Sequence, residues 1–150
     1  FYVIAAVNAG GTSATSAQAS ALTMPAAPTG LAASTVSTTQ INLTWTAVTG
    51  ATSYTVQHST TSGGPYTTVG SAATASFSDT TLTAGTTYFY VVLAVNASGS
   101  SAASAQASAI TIATAPTGVT ATPVSASSIN VSRASSQSAS SRAFSTRTQP

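Results

Sequence analysis

Cysteine is absent from the 150 residues and charge is nearly so: three arginines, one aspartate, no lysine, no glutamate, with one histidine and one tryptophan. Without thiols the fold cannot be a disulfide scaffold or a cysteine-ligated zinc module, so each unit must hold by packing alone. Charged residues make up 3%, against about a quarter in ordinary domains. The arginines, Arg133, Arg142 and Arg147, all fall near the end, so up to Ser132 the one acid is Asp79 and there is no basic side chain apart from His58. The pI near 9.4 therefore describes the last residues alone. No basic face exists for phosphate contacts, which excludes nucleic acid as a partner. No apolar run approaches the roughly 20 residues of a membrane helix, so membrane insertion is not expected. Alanine, serine and threonine together exceed half the chain, giving a hydroxyl-rich, almost uncharged surface.

What is present is a repeat. FYVIAAVNAGGTSATSAQASALT, from Phe1, returns as FYVVLAVNASGSSAASAQASAIT from Phe89, and residues 1–44 laid on 89–132 agree at 26 positions, a period of 88. Many of the differences exchange Val, Ile and Leu, or Ser and Thr, conserving volume or polarity. Such self-similarity marks tandem copies of one module. Phe1 then stands at the same point inside a unit as Phe89, late in the module, and the chain holds the end of one copy, all of a second and the opening of a third.

Within the complete unit, short strands alternate with turn chemistry. Pro28-Thr29-Gly30 opens it, and Pro116-Thr117-Gly118 repeats that opening. Ile41, Leu43 and Trp45 alternate with polar neighbours, as do Tyr54 and Val56 after the Thr49-Gly50 turn; period two with polar partners means strands with one buried face. Ser62-Gly63-Gly64-Pro65 breaks the second of these. Further strands are expected at Tyr66 to Val69, Ala75 to Ser78, Tyr88 to Val95 and Ala105 to Ile112. About seven strands in under ninety residues, with no helical period, predict an all-β antiparallel sandwich of two sheets.

In order and at these spacings, Pro28, Trp45, Tyr54, Leu82-x-x-Gly85-x-x-Tyr88, then Tyr90, Val92, Ala94, Asn96 and Gly99 resemble a fibronectin type III domain, of the kind found in tandem in bacterial extracellular proteins. The resemblance covers 26–113 as a complete domain. It implies a seven-stranded immunoglobulin-like β-sandwich with partial flanking repeats, Trp45 between the sheets, and a tyrosine corner in which Tyr88 bonds backbone near Leu82. In some animal members the loop corresponding to Asn96–Ser101 carries integrin recognition, but no Arg-Gly-Asp is present, so that activity is not implied.

The flanks follow the same ruler. Residues 1–25 are read as the C-terminal strands of a truncated repeat; FYVIAAV, apolar and uncharged, should aggregate or dock onto the neighbouring unit. Residues 114–132 are read as opening strands of a further repeat, with Ile129 and Val131 reproducing Ile41 and Leu43. Arg133 stands where Trp45 stood, and from there the period stops. Residues 133–150 are expected to be a disordered Ser/Arg-rich tail, arising either from a frame change in the gene or from a natural linker.

The residues capable of chemistry do not form a constellation in sequence. His58 is placed by alternation on the face of Tyr54 and Val56, where it packs or meets solvent at the strand end. Asp79, in a turn between sheets, is expected to bond nearby backbone donors. Paired carboxylates, a metal-ligand set, and a base with an orienting group for any of the many serines are missing. The expectation is no enzyme, with no catalytic, cofactor-binding or metal residue and no cofactor. Two surfaces could bind: the face of Phe89, Val91, Leu93 and Val95, apolar where a solvated sheet face alternates, and a row of rings from Tyr66, Phe77 and Phe89 suited to sugar. A neighbouring unit or cross-strand side chains would cover the first. The Asn-x-Ser/Thr triplets at Asn42, Asn96 and Asn130 are expected by chance in so hydroxyl-rich a chain.

The reading is a non-catalytic spacer or interaction module of a larger extracellular or cell-surface protein, with neighbouring repeats as partners and polysaccharide or another protein as further ones. The alternative is an adhesive or carbohydrate-associating accessory module of a polysaccharide-acting enzyme. Alanine-proline linkers, Ala27-Pro28 and Ala115-Pro116, restrict the hinge between units.

Overall fold

The structure, a computed structural model, describes residues 1–132. The expectations for Arg133 and the tail beyond it lie outside the described residues. In chain order the strands are β1 (Val7–Asn8), β2 (Gly11–Thr12), β3 (Ala32–Thr35), β4 (Ile41–Thr44), β5 (Ser53–Ser59), β6 (Thr67–Ala72), β7 (Ser76–Asp79), β8 (Thr87–Asn96), β9 (Gly99–Ser100), β10 (Ala107–Ile110), β11 (Thr120–Ser125) and β12 (Ser128–Ser132). No helix occurs among the described residues.

Two antiparallel sheets form the complete unit. One runs β3-β4-β7; the other runs β10-β8-β5-β6, with β9 pairing the far end of β8. Counting β9 and β10 as one interrupted strand gives the seven expected. Alternation decides which side chains meet between the sheets. Ile41 and Leu43 from the first sheet pack with Tyr54, Val56, Tyr88, Tyr90, Val92 and Ala94 from the second, all buried. Each fully enclosed Ile, Leu, Val or Tyr contributes about 1.5–3 kcal/mol relative to exposure. At the edge where β3 lies beside β10, Thr35 Oγ1 donates to the Ile110 carbonyl at 2.6 Å and Ile112 N–H to the Ser37 carbonyl at 3.1 Å.

Two anchors stand where the sequence put them. Trp45, just past β4, is 7% exposed and meets Tyr54 edge-on, with ring centroids 5.2 Å apart. Tyr88 accepts the Thr83 N–H on its hydroxyl at 3.0 Å, beside buried Leu82, completing the corner.

Strand bounds depart from the sequence reading where small residues or side chains take over. β6 reaches Ala72 because Gly70 leaves room for the Phe77 ring: a Cβ there would lie 2.7 Å from it. The last strand is not continuous from Ala105. Ser101 Oγ accepts Ala94 N–H at 2.9 Å and Ser104 Oγ accepts Val92 N–H at 3.1 Å, so hydroxyls replace two rungs of the ladder before β10 starts.

The flanking hairpins keep the period in three dimensions. β1 pairs β2 as Val7↔Thr12, the register of Val95↔Ser100, and β11 pairs β12 as Ala121↔Val131, the register of Ala33↔Leu43. Even the hydroxyl rungs return: Ser13 Oγ accepts Ala6 N–H at 3.0 Å and Ser16 Oγ accepts Ile4 N–H at 3.1 Å. Register in these hairpins is thus set locally, by turn and side-chain chemistry, ahead of any core.

Candidate functional site

The histidine and the acid meet inside the complete unit. Alternation along β5 sends His58 to the inner face after Tyr54 and Val56, and Asp79, opposite Ile41 on β7, points inward from the other sheet. His58 Nδ1 lies 2.8 Å from Asp79 Oδ2, and the Tyr90 hydroxyl donates to the same oxygen at 3.2 Å. Asp79 is 4% exposed and Tyr90 fully buried, while the His58 side chain keeps 23%. The imidazole rests against Tyr88 and Tyr90, with centroids 5.1 and 5.9 Å away. Burial first, then the Asp79 carboxylate, hold the Tyr90 phenol far above its ordinary pKa, so it is a permanent donor here. The expectation that Asp79 bonds nearby backbone is corrected: its partners are side chains of the facing sheet. In a chain with so few charges, the carboxylate has these two donors to offset its desolvation.

This cluster has two members of a base-and-orienter pair and lacks the rest. Serines near it are engaged elsewhere; Ser59 Oγ, for instance, accepts Thr61 N–H at 3.0 Å. Among the described residues no group of three or more His, Cys, Asp or Glu could hold a metal. What the arrangement does is cross-link two sheets through a charge-assisted hydrogen bond.

The two binding surfaces fare differently from a free platform. Val91 is 5% exposed, and Phe89, Leu93 and Val95 are half-buried. The Tyr66 hydroxyl and Gly63 N–H both donate to Gln106 Oε1, and Gln106 Nε2 donates to Ser62 Oγ at 3.2 Å. The Gly63-Gly64-Pro65 turn is thereby tied to the start of β10, across the sheet from β6 with β8 and β5 between them. Tyr66 is an anchor for that turn. The row of rings does not form: Phe77 pairs with Leu43 within the β3-β4-β7 sheet and leans on Gly70 of β6, whereas Phe89 belongs to β8 of the facing sheet.

A groove of about 510 Å³ lies beside β4 and β7, lined by Asn42, Thr44, Thr74, Ser76, Ser78 and Phe77 among others. Its central acceptor is already used, since Asn42 Oδ1 takes Ser78 Oγ–H at 2.8 Å and Gln40 Nε2–H at 2.9 Å. Of the three glycosylation-like triplets, Asn96 is buried at 7% exposure. Sequence reasoning missed the His58–Asp79 pair, although both residues being unique in the chain was a signal.

Two packed antiparallel sheets with a buried indole, a tyrosine corner and this strand order define an immunoglobulin-like β-sandwich. The family model of the fibronectin type III domain matches residues 26–110. The chain belongs to the fibronectin type III family. It is 44% identical to an Fn3-like protein from Clostridium thermocellum whose crystal structure superposes with a TM-score of 0.56, covering 59% of this chain and 95% of that one. It is also 40% identical over 102 residues to Exoglucanase B of Cellulomonas fimi, covering 66% of this chain and 9% of that protein. Over 86 residues it is 43% identical to a poly(3-hydroxybutyrate) depolymerase of Ralstonia pickettii, covering 57% of this chain and 16% of that protein. The chain therefore spans less than a fifth of either curated relative, and the similarity is one of modules within larger proteins.

Proposed function

We propose that this chain is a stretch of tandem spacer modules in a larger multidomain extracellular or cell-surface protein, non-catalytic, with neighbouring repeats as its partners. Residues 26–113 are the complete module, 1–25 the last strands of a preceding repeat and 114–132 the first strands of a following one. The observation that carries this reading is the return of strand register at the 88-residue period on both sides of a unit whose reactive groups are spent on its own core. The longest strand, ten residues, sets the length scale: at about 3.4 Å per residue each repeat adds roughly 34 Å. Scattering from chains of one, two and three copies of residues 26–113 should show the maximum dimension growing by about that step; collapse to a compact particle would refute a spacer.

The match to an exoglucanase favours a second reading, a carbohydrate-associating accessory module. A pull-down of residues 26–113 on cellulose, chitin and starch separates the two: retention on any of them would favour the second, and none the first.

A further inference from the structure

The loop joining β8 to β9, Asn96–Gly99, holds the end of the preceding repeat. Asn96 Oδ1 accepts Ser98 N–H at 2.8 Å, closing the turn and leaving the amide nitrogen to a second task. Asn8 closes the same turn with Gly10 N–H at 2.8 Å one period earlier. In the complete unit Asn96 Nδ2 donates to the Thr23 carbonyl at 2.8 Å, and Ser98 Oγ donates to the Leu22 carbonyl at 2.6 Å. The Met24 sulfur lies 3.3 Å from where a Cβ on Gly99 would be. Gly99 and Gly11 share a φ near +130°, which L side chains rarely adopt, so the backbone keeps this position open in both copies. Leu22, Thr23 and Met24 are thus each met by the loop.

One period later the equivalent segment is the end of the complete unit's last strand. Thr23 corresponds to Thr111. Thr111 N–H donates to the Thr86 carbonyl at 3.1 Å, and a regular ladder would return the Thr86 N–H to the Thr111 carbonyl. Instead Thr86 N–H goes to Thr111 Oγ1 at 3.0 Å, which withholds from that carbonyl its ladder donor. On either side Ile110 and Ile112 remain 56% and 52% exposed, at the positions of Leu22 and Met24. Thr111 is only 2% exposed and the Ile110 carbonyl already takes Thr35 Oγ1, so the part of this segment open to a following loop is the pair of exposed apolar side chains, with the carbonyl short of its ladder partner between them.

We propose that the Asn-x-Ser-Gly loop, Asn96–Gly99, is an inter-repeat clasp. Its occupant is the end of the preceding repeat's last strand, residues 22–24 here and 110–112 for the repeat that follows, and it sets the orientation between consecutive units. This rests on the spacer reading and adds that the spacer is stiff at its joints.

Residues 26–113 enclose their own core and span one period, so two copies joined head to tail keep the native spacing. The absence of cysteine allows one spin label per unit, at Thr60→Cys, which is exposed. Pulsed dipolar spectroscopy should give one narrow inter-label distance. Asn96→Asp in the second copy keeps the turn acceptor and loses the donor; Ile112→Ser in the first removes apolar contact. Each should broaden the distribution while leaving the single unit's unfolding midpoint unchanged. A broad distribution in the parent, or variants as narrow as the parent, would overturn the clasp. If Asn96→Asp also weakens the single unit, Ile112→Ser alone decides. A polysaccharide retained in the pull-down would sink the spacer reading and leave the clasp standing; broad distances would do the reverse.

Discussion

Replacing Asp79 with alanine should remove a large share of the complete unit's stability. The carboxylate is 4% exposed and accepts from His58 at 2.8 Å and from the Tyr90 hydroxyl at 3.2 Å. Alanine removes a hydrogen bond to a charged group, about 1.5–3 kcal/mol, and strands the Tyr90 donor where no water reaches it, a further ~1–3 kcal/mol. The two together, about 2.5–6 kcal/mol, bracket the usual cost of breaking a buried pair by deleting one partner, about 3–5 kcal/mol. At 0.05–0.15 kcal/mol per residue, a unit of this length is stable by only about 4–13 kcal/mol. Asp79→Asn keeps an acceptor for Tyr90 and should cost about half as much. Trp45, 7% exposed, is the single tryptophan and reports unfolding by fluorescence during a urea titration of residues 26–113. With a slope of about 1 kcal/mol/M for so small a domain, the Asp79→Ala midpoint should fall by on the order of 3 M. A double-mutant cycle with Tyr90→Phe should show coupling, since the phenylalanine has no donor left to strand. If Asp79→Ala shifts stability by less than ~0.5 kcal/mol, or the cycle shows no coupling, the inter-sheet cross-link is not a stabilising element.

Trp45→Ala should cost about 3–5 kcal/mol by cavity formation, measured by thermal unfolding followed by circular dichroism. Trp45→Phe should cost clearly less, because the buried indole Nε1 has no hydrogen-bond partner to lose among the described residues. Ser104→Ala, which orphans the buried Val92 N–H, should cost about 1–3 kcal/mol and speed exchange of that amide, and equal protection in the variant would refute the hydroxyl rung. Deleting residues 1–24 removes Phe1, Tyr2, Val3, Ile4 and Val7, all more than half exposed, and should raise the solubility limit; an unchanged limit would count against their being an aggregation hazard.

The repeat, the strand alternation and the turn residues determined the two-sheet sandwich from sequence alone, because period two and glycine-proline chemistry act over a few residues and need no partner. The same locality explains why Trp45, Tyr54 and Tyr88 were legible as anchors, and why the hairpins on either side keep the register of the complete unit. Tertiary structure alone decided the rest. Asp79 and His58 stand 21 residues apart, on different sheets, and nothing in their spacing says that one carboxylate will take both an imidazole and a phenol. Gln106 crossing to Tyr66, and Asn96 reaching Thr23 across 73 residues, depend likewise on where the sheets bring distant segments. Side-chain direction is written in the strand, but the identity of what a side chain meets is settled only when the sheets close over it.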